Sequence, residues 1–167
     1  MNLISDETMN NLDIGRYMGQ WYEIAKYPMK WEKDCERASA NYVWDPIKQK
    51  ILVENQCWVK DKLIRTRRAE AWVPDANDKG KLLINFNDNL PSDPGPAPYW
   101  VHWTDYNYNA IVGGPSGQFL WWLSRKPKVW AIEVEPMLER VTSFGYDPNK
   151  LMAAPSAVTR FDSSRLD

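Results

Sequence analysis

Short runs of alternating apolar and polar residues, separated by turn residues, dominate this chain. Runs at 21–27, 37–44, 50–57, 62–73, 81–87, 99–104, 109–113 and 118–124 each have strand length and strand period. Ala38, Ala40, Tyr42 and Trp44 share one side of the second run. Pro28 ends the first run, Asp45-Pro46-Ile47-Lys48-Gln49 marks a hairpin, and a Pro-rich loop spans 90–98. Only one helical pattern is present, at 133–144, with Val134, Met137, Leu138 and Val141 at helical spacing. Gly145 stands where a glycine would end that helix, and Pro136 fits only in its first turn.

Strands in series without intervening helices argue against a parallel α/β fold. The pattern predicts an all-β protein: an eight-stranded antiparallel up-and-down β-barrel with a C-terminal α-helix packed outside. One domain spans 1–167, with the barrel at about 19–126, the helix at about 133–144 and an extended tail at 146–167. Loops of such a meander fall alternately at its two ends. One end holds Gly19-Gln20-Trp21, Thr104-Asp105-Tyr106 and Ser124-Arg125-Lys126-Pro127; the other holds the longer loops at 29–36, 58–61, 88–98 and 113–117.

Composition narrows the function. Ten tryptophans, eight tyrosines and four phenylalanines in 167 residues call for an aromatic core, an aromatic pocket or both. A net charge of −1 argues against a nucleic-acid partner, which needs a basic face. No apolar run nears the roughly 18 residues needed to span a bilayer. No secretory signal is visible, so the chain is either cytosolic or lacks a removed signal.

Three segments at the tight end carry a resemblance. Gly19-x-Trp21, Thr104-Asp105-Tyr106 and Arg125 resemble, in order, the three signatures of the lipocalin family. Within it the phrases Gly19-Gln20-Trp21-Tyr22-Glu23-Ile24-Ala25, Ala40-Asn41-Tyr42, Val53-Glu54-Asn55 and Leu120-Trp121-Trp122-Leu123-Ser124-Arg125 are similar to bacterial lipocalins, apolipoprotein D and temperature-induced lipocalins. The likeness covers about residues 12–151. It implies that Gly19, Trp21, Asp105 and Arg125 close the barrel, with the guanidinium stacked on the indole. It further implies binding, transport or storage of a small hydrophobic ligand such as a fatty acid or lysophospholipid. Burial rather than catalysis is the expected mechanism, with no cofactor and no metal.

Resemblance and strand parity together place the ligand-binding set at Ala40, Tyr42, Asn55, Arg67, Ala69, Ile84, Phe86, Tyr99, Val101, Trp103, Phe119 and Trp121. The same parity turns Glu23 and Ala25 inward. Three expectations stand open for Arg67: a ligand anion, an internal ion pair with Glu23, or a one-residue slip that puts Arg68 inside instead. Counting outward from the turn near Ile47 sets Cys35 nearly opposite Cys57, which predicts a disulfide and an oxidising compartment, in the envelope or outside the cell, against two reduced thiols in a cytosolic protein. His102, the sole histidine, falls outward and is expected on the surface. Trp44, Trp100 and Trp122 also fall outward, to pack under the helix, form a homodimer surface or touch a membrane. Trp31 and Trp58 are expected near the mouth. The rival functions are a lipid-modifying enzyme, which needs a free thiol or a carboxylate such as Glu23, and an interaction module with a filled barrel.

Overall fold

The computed structural model describes residues 4–29, 32, 34–87 and 95–159. The main strands are β1 (Gly19–Lys26), β2 (Arg37–Asp45), β3 (Lys50–Val59), β4 (Lys62–Trp72), β5 (Lys81–Phe86), β6 (Ala97–Thr104), β7 (Asn109–Gly113) and β8 (Leu120–Ser124). Each pairs antiparallel with the next, and β8 pairs back onto β1, closing the ring. A one-turn helix α1 (Ile14–Tyr17) precedes β1. After the ring come β9 (Val129–Trp130), α2 (Val134–Ser143), β10 (Met152–Ala153) and β11 (Val158–Thr159). Trp31, expected near the mouth, and most of the 88–98 loop lie outside the described residues.

Period-two alternation divides the apolar residues into two cores. Inside the ring lie Trp21, Tyr42, Val53, Ala69, Ala71, Leu82, Val101, Val112 and Leu123, with Leu12 and Tyr17 from the N-terminal segment. Outside it, Ile24, Ile111, Leu120 and Trp122 pack under Met137 and Val141 of α2 and under Phe144 and Tyr146. Pro136 falls in the first turn of α2, where its missing N–H costs nothing. Gly145, at φ 96°, ends the helix.

The narrow end is closed by one guanidinium. Arg125 lies 3.8 Å above the Trp21 ring. Its Nε donates to Tyr106 O at 2.8 Å, Nη1 to Met18 O and Gln20 O at 2.9 and 3.0 Å, and Nη2 to Arg16 O at 2.8 Å. The Trp21 indole N–H donates to Tyr17 O at 2.8 Å. Gly19 has φ 100°, and a Cβ there would sit 3.3 Å from Arg125 Nη1, so both the backbone and the space call for glycine. Asp105 acts one step away: its Oδ1 accepts from the N–H groups of Tyr108 and Asn109, shaping the β6–β7 turn that presents the Tyr106 carbonyl.

Two β-bulges redirect side chains that uninterrupted alternation would place otherwise. In β6 the register shifts between Val101 and Trp103, so His102 and Trp103 both leave the barrel interior. Trp103 therefore does not wall the calyx; it packs with the outer core, under the Arg140 guanidinium at 3.9 Å. His102 is outward but not on the surface: it is 2% exposed. Its Nδ1 meets Glu7 O and its Nε2 meets the Tyr146 hydroxyl, both at 2.7 Å, and Phe144 stacks on its ring. In β1 the shift between Glu23 and Ala25 turns Ala25 into the outer core and sets Lys26 opposite Trp121, on the inner face.

The tail through Thr159 is part of the fold. β10 continues the sheet along β1, pairing Ala25 with Ala153 and Lys26 with Met152, where β2 has already diverged. β11 runs parallel to β9. Tyr146 fills the space that any Cβ on Gly113 would need, and its hydroxyl accepts from Gly114 N at 3.0 Å. Trp122 is buried, with its indole N–H on Asn109 Oδ1 at 2.9 Å, while Trp44 remains 40% exposed. Trp100 is half-buried beneath Lys81, whose Nζ lies 4.6 Å from the ring centre.

Arg125→Lys keeps the charge but cannot reach four carbonyls in two segments; a loss on the order of 2–4 kcal/mol is expected in urea unfolding. Burial holds His102 below its ordinary value. Protons then bind the unfolded chain first, so the histidine's contribution is full above about pH 6.5 and is lost as pH falls through the folded value. The stability gap between wild type and His102→Gln is expected to narrow on acidification below that point, as read by thermal unfolding.

Candidate functional site

The ring encloses a cavity of about 240 Å³ that opens at the end opposite Arg125. Ala40, Tyr42 and Asn55 face it from β2 and β3, Arg67, Ile84 and Phe86 from β4 and β5. Tyr99, Val112, Trp121 and Leu123 complete the wall from β6 to β8, and Phe119, just before β8, stacks parallel to Trp121. Of the twelve residues expected at the ligand, nine line this cavity. Ala69 and Val101 are packed in the core beneath it, and Trp103 is outside.

Three tyrosines make the floor. Tyr99 Oη lies 2.6 Å from Tyr17 Oη and 2.7 Å from Tyr42 Oη, so one hydroxyl links α1, β2 and β6. Burial pushes all three phenols above their ordinary value, and they stay protonated through the physiological range.

Arg67 sits on the cavity side of β4, opposite Asn55, with its guanidinium 3.7 Å from the Phe86 ring centre. Arg68 points away and pairs with Glu54 at 3.4 Å, so the one-residue slip is excluded. The ion pair expected between Arg67 and Glu23 does not form. Glu23 instead faces Lys26 at 3.9 Å, and the Glu32 carboxylate bears on it through its charge. Burial first, and the Glu32 charge second, hold the Glu23 carboxyl well above the usual carboxylate range.

A second cavity adjoins the first through the barrel wall. β1 and β2 pair only from Gly19–Tyr42 to Tyr22–Ser39, and beyond that point they separate. The gap is a cleft of about 640 Å³ between Cys35, Glu36 and Ala38 on one side and Met152, Ala153, Ala154 and Pro155 on the other. Glu23, Met29 and Glu32 line both spaces. Sequence reasoning placed Glu23 inside but missed Lys26, Glu32 and the cleft. No period marks a residue in a turn, and the bulge that turns Lys26 inward leaves no trace in the alternation.

Cys35 and Cys57 are joined, with Cα atoms 5.4 Å apart. The bond ties the turn carrying Glu32 and Asp34 to β3. It also leaves no free thiol among the described residues, which removes the cysteine-based enzyme reading.

A lipocalin-like domain model matches residues 12–156. The chain belongs to the lipocalin family. This lipocalin is 32% identical to temperature-induced lipocalin-1 of Arabidopsis thaliana over 162 residues, 95% of this chain and 87% of that protein. It is 30% identical to the outer membrane lipoprotein Blc of Escherichia coli K12 over 146 residues, 86% of this chain and 79% of that protein. The fold matches that of insecticyanin from the tobacco hornworm Manduca sexta with a TM-score of 0.67, covering 96% and 90% of the two chains at 21% identity. Lipocalins typically hold small hydrophobic ligands and generally act as binders, not enzymes.

Tyr99→Phe would leave the Tyr17 and Tyr42 hydroxyls without their shared partner. A loss of about 1–3 kcal/mol is expected in chemical denaturation, with the fold retained.

Proposed function

We propose that this lipocalin binds a single-chain lipid for transport or storage, with the alkyl chain in the calyx. The carrying observation is the cavity inside the ring, walled by Ile84, Phe86, Phe119 and Trp121 and floored by the tyrosine hydroxyls. Removal of the chain from water supplies the driving force, roughly 25 cal/mol per Å² of apolar surface. At about 240 Å³ the calyx is smaller than the ~300–1,000 Å³ of drug-sized sites. That size favours one chain over two, with the bulkier end of the ligand toward the mouth and the lateral cleft.

The open calyx and the disulfide weigh against the interaction module and against the thiol form of the enzyme reading. An interaction module with a filled barrel has no use for an open calyx, and the thiol chemistry of the enzyme reading has lost its nucleophile to the disulfide. An oxidising, extracytoplasmic location fits that disulfide and the relative named as an outer membrane lipoprotein.

Ile84→Trp tests the calyx by filling it. Affinity for dodecanol, measured by quenching of tryptophan fluorescence, is expected to fall by about tenfold or more. Circular dichroism would report whether the barrel is intact. Unchanged affinity in a folded variant would sink the proposal.

A further inference from the structure

Burial of an alkyl chain makes no use of the charges at the mouth. Glu23 and Glu32 have side chains only 8% and 0% exposed. Lys26 Nζ hydrogen-bonds to Glu32 Oε2 and lies 3.9 Å from Glu23 Oε1. Oε1 of each acid has no hydrogen-bond partner, although both residues face the calyx and the cleft. Such orphaned buried oxygens are uncommon and costly.

The pair is held from its backbone. Glu32 N donates to Met29 O at 3.2 Å and Glu32 O accepts from Cys35 N at 2.9 Å, beside the disulfide. Among the described residues, acids outnumber bases around the pair. Among the described residues the two buried acids share the ammonium of Lys26, while Asp34 and Glu36 line the cleft further out, Asp34 held by Arg65 at 2.7 Å. From β2 the pair is approached by Tyr42, a protonated phenol, and the calyx wall on β4 contributes Arg67, stacked on Phe86.

Building on the binding role proposed above, we infer that Glu23 and Glu32 form the head-group subsite and that the preferred ligand is a long-chain primary amine. Its alkyl chain occupies the calyx and its ammonium lies between the two Oε1 atoms. An ammonium brings three N–H donors and the second positive charge that the two acids lack. A fatty-acid carboxylate would meet like charge at the same place. Without ligand, a proton on Glu23 together with the Lys26 ammonium balances the two acids, consistent with the raised carboxyl. The incoming cation replaces that proton, which leaves to solvent.

Dodecylamine, dodecanol and dodecanoate separate the chain from the head group. At neutral pH, fluorescence titration of the wild type is expected to show the amine about tenfold or more tighter than the alcohol, and the carboxylate weakest. Calorimetry in buffers of different ionisation enthalpy is expected to show net proton release with the amine and none with the alcohol. Glu23→Gln and Glu32→Gln are each expected to cut the amine-to-alcohol affinity ratio about tenfold. Equal affinities for amine and alcohol, tighter binding of dodecanoate, or a ratio unmoved in both variants overturns the subsite while leaving the calyx reading intact. Failure of all three probes to bind the wild type overturns the calyx reading itself. Should either variant not fold, the wild-type ratio and proton release decide.

Discussion

A backbone carbonyl turned away from its own strand or helix needs a donor, and at the closed end of this barrel four of them find the same one. Arg125 gathers the carbonyls of Arg16, Met18, Gln20 and Tyr106 while covering Trp21. Chain regions more than a hundred residues apart in sequence are thereby fixed to one planar group. Everything above depends on that seal. It sets the level of Trp21, which positions Tyr17, whose hydroxyl in turn anchors the tyrosine floor. A lysine has the charge but not the fork, and so could not replace it.

Most of the ring was legible because its strands alternate cleanly. All eight expected runs became strands, with ends displaced by at most a few residues, and the hairpin count brought Cys35 near Cys57, whose strand partner is Ala38. Parity failed where a bulge interrupted it. One extra residue in β6 took Trp103 out of the calyx, and one in β1 exchanged Ala25 for Lys26. The tail at 146–159 looked uninformative because its strands are two residues long, too short to show a period. Their pairing comes from edges that the rest of the fold leaves open. His102 illustrates a related limit: alternation tells which face a residue takes, but not whether later chain covers that face.

The two ends of the cavity differ in kind. Its floor is rigid and neutral, cross-linked by hydroxyls from three elements. Its mouth is charged, with carboxylates held by a disulfide-anchored turn and by a strand that has parted from its neighbour. The same departure of β2 from β1 that opens the lateral cleft also frees the edge on which β10 docks. One divergence thus produces an opening and part of its rim.

The tyrosine floor has an arithmetic of its own. Three phenols carry three protons, and the two bonds that join them use only two. When the central Tyr99 gives to one neighbour and takes from the other, the chain has a direction. Run one way, the spare proton ends on Tyr17 beneath the floor. Run the other way, it ends on Tyr42, at the cavity surface. The deepest polar contact of the calyx is therefore reversible: the same three residues can offer the buried tip of a ligand either a donor or an acceptor, with no atom heavier than hydrogen moving.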